Sequence, residues 1–77
     1  MDTVKIGKYI AGKRKALGMT QAQVAEKLGM SDKSVSKWER AEASPDIDNL
    51  ILLAQLYQVS LDDLLQTGMT SVTTVEP

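Results

Sequence analysis

Seventy-seven residues allow one domain with a small core, because a chain of this size buries only roughly 60% of the surface it exposes when unfolded. The sequence contains no cysteine and no histidine, which excludes disulfides, thiolate chemistry, a histidine general base and the usual metal-ligand sets, and agrees with a reducing compartment. The net charge is −1, yet all nine basic residues lie in residues 1–40 beside four acids (Asp2, Glu26, Asp32, Glu39), while residues 41–77 hold six acids and no base. The two halves therefore carry +5 and −6, and such sorting suggests a basic face for a polyanion.

Asp2 or Thr3 is a plausible cap for a first helix that runs to about Leu17. Ile6, Ile10, Arg14 and Leu17 share one face of it, which sets a charge among the residues that must pack. Lys5, Lys8 and Lys15 point the other way as a solvated stripe, and Gly18 ends the helix. Thr20 and Gln23 form a T-x-x-Q capping box at the start of a second helix, Gln21–Leu28, whose apolar positions are Val24, Ala25 and Leu28. Gly29 can take the left-handed conformation that stops it. After a three-residue turn, Ser31 caps a third helix over about Asp32–Arg40. Met30, Val35 and Trp38 continue the apolar pattern, and Ser34 turns inward with the last two. The outer face holds Lys33, Ser36, Lys37 and Arg40, with Asp32 in the first turn. Two short helices joined in this way are helix-turn-helix geometry.

Pro45 biases Ser44 away from helix and closes a loop over Ala41–Pro45. A fourth helix, about Ile47–Tyr57, is capped by Asp46, or by Ser44 with Pro45 at the first helical position. Leu50, Leu53, Ala54 and Tyr57 repeat along one face of it, and Ile47 and Ile51 widen that apolar stripe. A short fifth helix, Leu61–Gln66, starts at Ser60, stops before Gly68 and closes the core with Leu61, Leu64 and Leu65. The expected class is all-α, with five helices and no strand. Residues 1–67 form the domain, and residues 68–77 are expected to be a flexible tail or linker.

Ala25, Gly29 and Val35 at these separations, inside TQ-x-x-VAEKLGMS-x-x-SVSKWER and followed by SPDIDNLILLAQLYQVSLDDLL, resemble the Cro/CI-type (lambda-repressor-like, Xre) DNA-binding domains. The resemblance covers about residues 6–66. It implies a compact five-helix lambda-repressor-like domain with the helix-turn-helix at helices 2 and 3. The function implied is sequence-specific transcription regulation, as a repressor, by a cytoplasmic homodimer on an inverted-repeat operator in double-stranded DNA. By the same resemblance the base-reading positions fall on Asp32, Lys33, Ser36 and Lys37. Lysine suits guanine O6 and N7, whereas Asp32 either accepts from a cytosine amino group or serves as a helix-start anion. Gln21 matches the family glutamine that holds a backbone phosphate, and Arg40 is a second phosphate candidate.

Arg14 needs a partner, because an unpaired buried charge is costly. Glu39, one turn beyond Val35 on helix three, is the candidate, and the resemblance implies the same pair. The loop after helix three departs from the family pattern, having Ala41, Glu42 and Ala43 where glycine and basic residues are usual. The competing function is a protein-interaction or antitoxin-like accessory module that keeps the fold with weak or no DNA binding. The acidic half favours that alternative; the cationic outer face of helix three and Gln21 speak against it. No enzyme, cofactor or membrane role is expected: adjacent Asp62 and Asp63 diverge by about 100° on a helix and cannot act as a catalytic pair, and no run of 18 apolar residues is present.

Overall fold

The computed structural model describes residues 2–67. Five helices follow one another: α1 (Thr3–Ala16), α2 (Gln21–Leu28), α3 (Asp32–Glu39), α4 (Ile47–Tyr57) and α5 (Leu61–Thr67). The protein is all-helical, with no strand among the described residues. The segment 68–77, expected as a tail, lies outside them.

Local chemistry sets each boundary. The Asp2 carboxylate accepts from the amides of Val4 and Lys5, both at 3.1 Å, so Asp2 is the cap of α1. At α2 the capping box is complete: Gln23 N donates to Thr20 Oγ1 at 3.1 Å and Thr20 N donates to Gln23 Oε1 at 2.8 Å. Gly29 ends α2 at φ +69°, a conformation glycine adopts without steric cost. Ser31 accepts from Ser34 N at 3.2 Å to start α3. Asp46, accepting from Asn49 N at 2.9 Å, caps α4 and leaves Pro45 outside the helix and buried. Ser60 accepts from Asp63 N at 3.0 Å at the start of α5. Each such cap contributes about 1 kcal/mol.

The core draws on every helix: Ile6 and Ile10 from α1, Val24, Ala25 and Leu28 from α2, Val35 and Trp38 from α3, Leu50, Leu53 and Tyr57 from α4, and Leu64 from α5. Helix α1 packs on α3, α4 and α5, while α2 packs on α3 and α4. Full burial of one aliphatic side chain stabilises by roughly 1.5–3 kcal/mol, so α3, only eight residues long, holds its place through Val35 and Trp38 more than through its own helical propensity.

Three expectations about the packed faces are corrected. Leu17 is 52% exposed, because α1 ends at Ala16 and Leu17 is its cap; Met19, past the left-handed turn at Gly18, packs on the core in its place. Met30 lies in the turn and is exposed. On α4, Ile47 and Ile51 are 55% and 39% exposed, since the buried stripe runs through Leu50, Leu53, Ala54 and Tyr57 and reaches no wider on that side.

Two residues with side chains occupy left-handed backbone, Ala41 at φ +61° just after α3 and Gln58 at φ +58° as the cap of α4. A β-carbon in that region is strained where glycine is not. Ala41→Gly and Gln58→Gly are each expected to stabilise by about 1 kcal/mol. Gly12 is the converse case: it sits inside α1 with open space around its Cα, and Gly12→Ala should gain about 0.5–1 kcal/mol of helix propensity. Thermal melts should show all three midpoints rising by a few degrees, and a fall for any of them contradicts the strain or space argument at that position.

Candidate nucleic-acid interface

Helix α3 presents Asp32, Lys33 and Lys37 to solvent, with Ser36 half-buried among them. Lys33 and Lys37 are four residues apart and so project from one side of the helix. No hydrogen bond or ion pair among the described residues engages the ammonium group of either lysine, although the Lys37 carbonyl accepts from Glu42 N at 2.9 Å. Ser31 takes the capping role, so Asp32 is an acid in the first turn whose carboxylate is left for other contacts. Ser34, expected to turn inward, is half-buried and its hydroxyl lies 3.1 Å from Ser31 Oγ.

The opposite side of α3 rests on a buried polar cluster. Arg14 Nε donates to Glu39 Oε2 at 2.7 Å and its Nη2 to Oε1 at 3.0 Å, while Nη1 reaches the Met19 carbonyl at 2.9 Å. This is a two-pronged guanidinium–carboxylate contact, the stronger and more directional kind. The side chains are only 13% and 7% exposed. Gln21, first residue of α2, donates its Nε2 to the same Glu39 Oε1 at 3.0 Å. The cluster thus brings together Arg14, Gln21 and Glu39 from three helices, and sets the Gln21 amide against Glu39 as well as at the start of α2. Spacing alone carried no signal for that second contact.

Burial is the largest single influence on Glu39 and pushes its carboxyl up. The hydrogen bonds from Arg14 and Gln21, with the charges of Arg14 and Lys15, together outweigh burial and hold it below its ordinary 4.5. The hydrogen bond to Glu39 raises the Arg14 pKa in turn, against the effect of burial. Tyr57 from α4 lies close to this cluster. Burial, reinforced by the negative charge of Glu39 and opposed by Arg14, pushes its phenol up to about 12. Its hydroxyl is buried without a hydrogen-bond partner among the described residues.

Arg40 caps the C-terminal end of α3 and turns to Glu42: Nε lies 3.0 Å from Oε2 and Nη2 3.2 Å from Oε1. Both side chains are 56% exposed, and a pair this wet contributes about 0–1 kcal/mol. The acid that marked the loop as unusual in sequence is therefore the partner of a cation predicted to meet phosphate. Among the described residues no group of three or more acidic, histidine or cysteine side chains could hold a metal ion.

The Glu39 carboxyl has a lower pKa folded than unfolded, so its contribution is fully present above about pH 4.5 and is lost as pH falls through the folded value. Glu39→Gln, which leaves Arg14 without a counter-charge, should cost about 3 kcal/mol at pH 7 and markedly less at pH 3. Urea unfolding at both values checks this, and an equal loss at both would show that the pair is not the source. Tyr57→Phe removes an unpartnered buried hydroxyl and should leave stability unchanged or raise it by about 1 kcal/mol in the same assay.

A family model described as helix-turn-helix matches residues 10–64. The chain is 39% identical over 61 residues to the cryptic phage CTXphi transcriptional repressor RstR of Vibrio cholerae, an alignment covering 79% of this chain and 54% of RstR. It is 39% identical over 70 residues to repressor protein C2 of Salmonella phage P22, covering 91% of this chain and 32% of that protein. The crystal structure of the P22 c2 repressor in complex with a synthetic operator superimposes with a TM-score of 0.76 at 37% identity, over 80% of this chain and 94% of that one. The chain thus spans about half or less of the length of these curated relatives. With the helix-turn-helix at α2 and α3 and a match over most of its length, the chain belongs to the Cro/CI-type (lambda-repressor-like, Xre) helix-turn-helix family.

Proposed function

We propose that this chain is the DNA-binding unit of a transcriptional repressor, and that α3 enters the major groove of double-stranded DNA. The observation that carries the reading is the two-sidedness of α3: Lys33 and Lys37 exposed on one side, and Glu39 fixed to Arg14 on the other. A groove-reading helix requires this combination, because base edges reward only side chains held in register. The likeness to a repressor bound to its operator supports the same conclusion. In this reading Lys33 and Lys37 take guanine edges, with Ser36 and Asp32 beside them, and Gln21 and Arg40 hold phosphates. Arg40 must leave Glu42 to do so, which lowers its share of the affinity. The protein works in the cytoplasm, without catalysis or cofactor, as a homodimer on an inverted repeat, because one domain of this size makes too few contacts for tight specific binding. No described helix is long and apolar enough to cross a membrane.

A second reading, a protein-interaction module, is favoured by the Arg40–Glu42 pair and the exposed Ile47, Ile51 and Leu52 on α4. Selection of bound duplexes from a random pool, followed by titration at several salt concentrations, separates the two. The DNA reading expects one enriched inverted repeat and an affinity that falls steeply with salt despite the acidic pI. No binding at low salt would give the case to the second reading. On the enriched site, Lys33→Ala and Lys37→Ala should each cost roughly 1–3 kcal/mol and relax preference at one or two base pairs. Gln21→Ala should weaken all sequences about equally and, being uncharged, leave the salt slope nearly unchanged. If both lysine variants rank operator variants as the wild type does, α3 is not the reader.

A further inference from the structure

Two contacts with α1 hold the last turn of α3, and only one of them is the ion pair. The other is Gly7. It is buried on the face of α1 that carries Ile6, Ile10 and Arg14, and it meets the last turn of α3 backbone to backbone. A β-carbon on Gly7 would stand 2.5 Å from the Trp38 carbonyl oxygen and 2.9 Å from that of Glu39. Both obstacles are main-chain atoms, so no side-chain rotation relieves them. Gly12, on the same helix, has nothing within 4 Å of the corresponding position, so the closeness at Gly7 belongs to the crossing and not to α1 as such.

We infer that Gly7 is a positioning residue for base reading: the depth to which the end of α3 sinks against α1 at Gly7 sets the tilt at which Lys33 and Lys37 meet the groove. The inference rests on the reading of α3 as the groove helix. Both contacts act on the last turn of α3, Gly7 on the Trp38 and Glu39 backbone and Arg14 on the Glu39 carboxylate. The start of α3 is tied instead to α2 by the short turn between them and by packing, so a shift at Gly7 raises one end of α3 and changes its tilt. A methyl at Gly7 lifts that end only. Moving the Trp38 carbonyl from 2.5 Å to an ordinary 3.4 Å displaces the end of α3 by about 0.9 Å while Arg14 keeps its hold. Hydrogen bonds to base edges tolerate only a few tenths of an ångström. Lysine–phosphate attraction is long-ranged and tolerates far more. A tilt of α3 therefore strikes specificity and spares non-specific affinity.

The test uses the full chain as wild type, Gly12→Ala, Gly7→Ala, and Gly7→Ala combined with the stabilising Gly12→Ala and Ala41→Gly. Each is titrated in the cold, with folding checked by circular dichroism, against the duplex selected by the wild type and against an unrelated duplex of equal length. Gly7→Ala, alone or in the stabilised background, should lose about tenfold or more on the selected duplex, the scale of one base contact. It should change by less than about twofold on the unrelated duplex, where phosphate attraction dominates. Amide resonances of Asp32 to Lys37 should shift in the free protein, and Gly12→Ala should match the wild type throughout. A folded Gly7→Ala that keeps the wild-type ratio between the two duplexes overturns the inference. So does a stabilised triple variant that remains unfolded, because the proposal requires α3 to yield as a body. A wild type that binds no duplex at all overturns the DNA reading itself, and this inference with it.

Discussion

The buried contact between Arg14 and Glu39 is the constraint on which the rest of the arrangement depends. Its carboxylate receives the guanidinium of α1 and the Gln21 amide of α2, and lies close to Tyr57 of α4, while belonging itself to α3. One acidic group thus registers four helices. Such a pair is a poor source of net stability, because desolvating two charges consumes most of what their attraction returns. Its value lies in direction: an apolar substitute would pack as well but would accept α3 at a range of rotations. The third nitrogen of Arg14, bound to the Met19 carbonyl, extends the same constraint to the entry of α2.

That arrangement also changes the meaning of the charge count. The excess of +5 in residues 1–40 includes Arg14, which is largely buried against Glu39, and Arg40, which faces Glu42 from the acidic half. Lys13 lies with its ammonium 5.5 Å from the centre of the Tyr9 ring, a distance at which the cation is drawn to the ring face. The positive field at the surface of α3 therefore comes chiefly from Lys33 and Lys37, close to where base edges would lie. A chain with an acidic pI can carry a local cationic face because electrostatic screening at physiological salt isolates patches more than about 8 Å apart.

Much of the fold was legible in the sequence, because capping and periodicity are local. The T-x-x-Q box, Gly29, Ser31 and Ser60 each act within four residues of themselves, and the helix bounds they imply are those observed. Asp46 against Ser44 was a choice between two valid local chemistries, decided by where the chain must enter the core. What was not legible depends on what lies across the gap. Periodicity placed Leu17, Ile47 and Ile51 on apolar faces but could not say how wide the facing surface is. At the site, a mismatch of charge with an apolar face was enough to pair Arg14 with Glu39. The partnership of Arg40 with Glu42 and the inward hydrogen bond of Gln21 had no comparable signal. Gly7 did have one, a glycine at helical spacing from Ile10 and Arg14 on the packed face.

Ala41 and Gln58 hold left-handed backbone with a β-carbon in place, and their consequence reaches beyond geometry. Each sets the native state closer to the unfolded one by about 1 kcal/mol, which multiplies the open population roughly fivefold per site. Proteases that cut only the opened chain act in proportion to that population. A chain with two such positions is opened more often than its core alone would dictate. Left-handed side chains at the ends of α3 and α4 thereby act on how often this fold is exposed to cleavage.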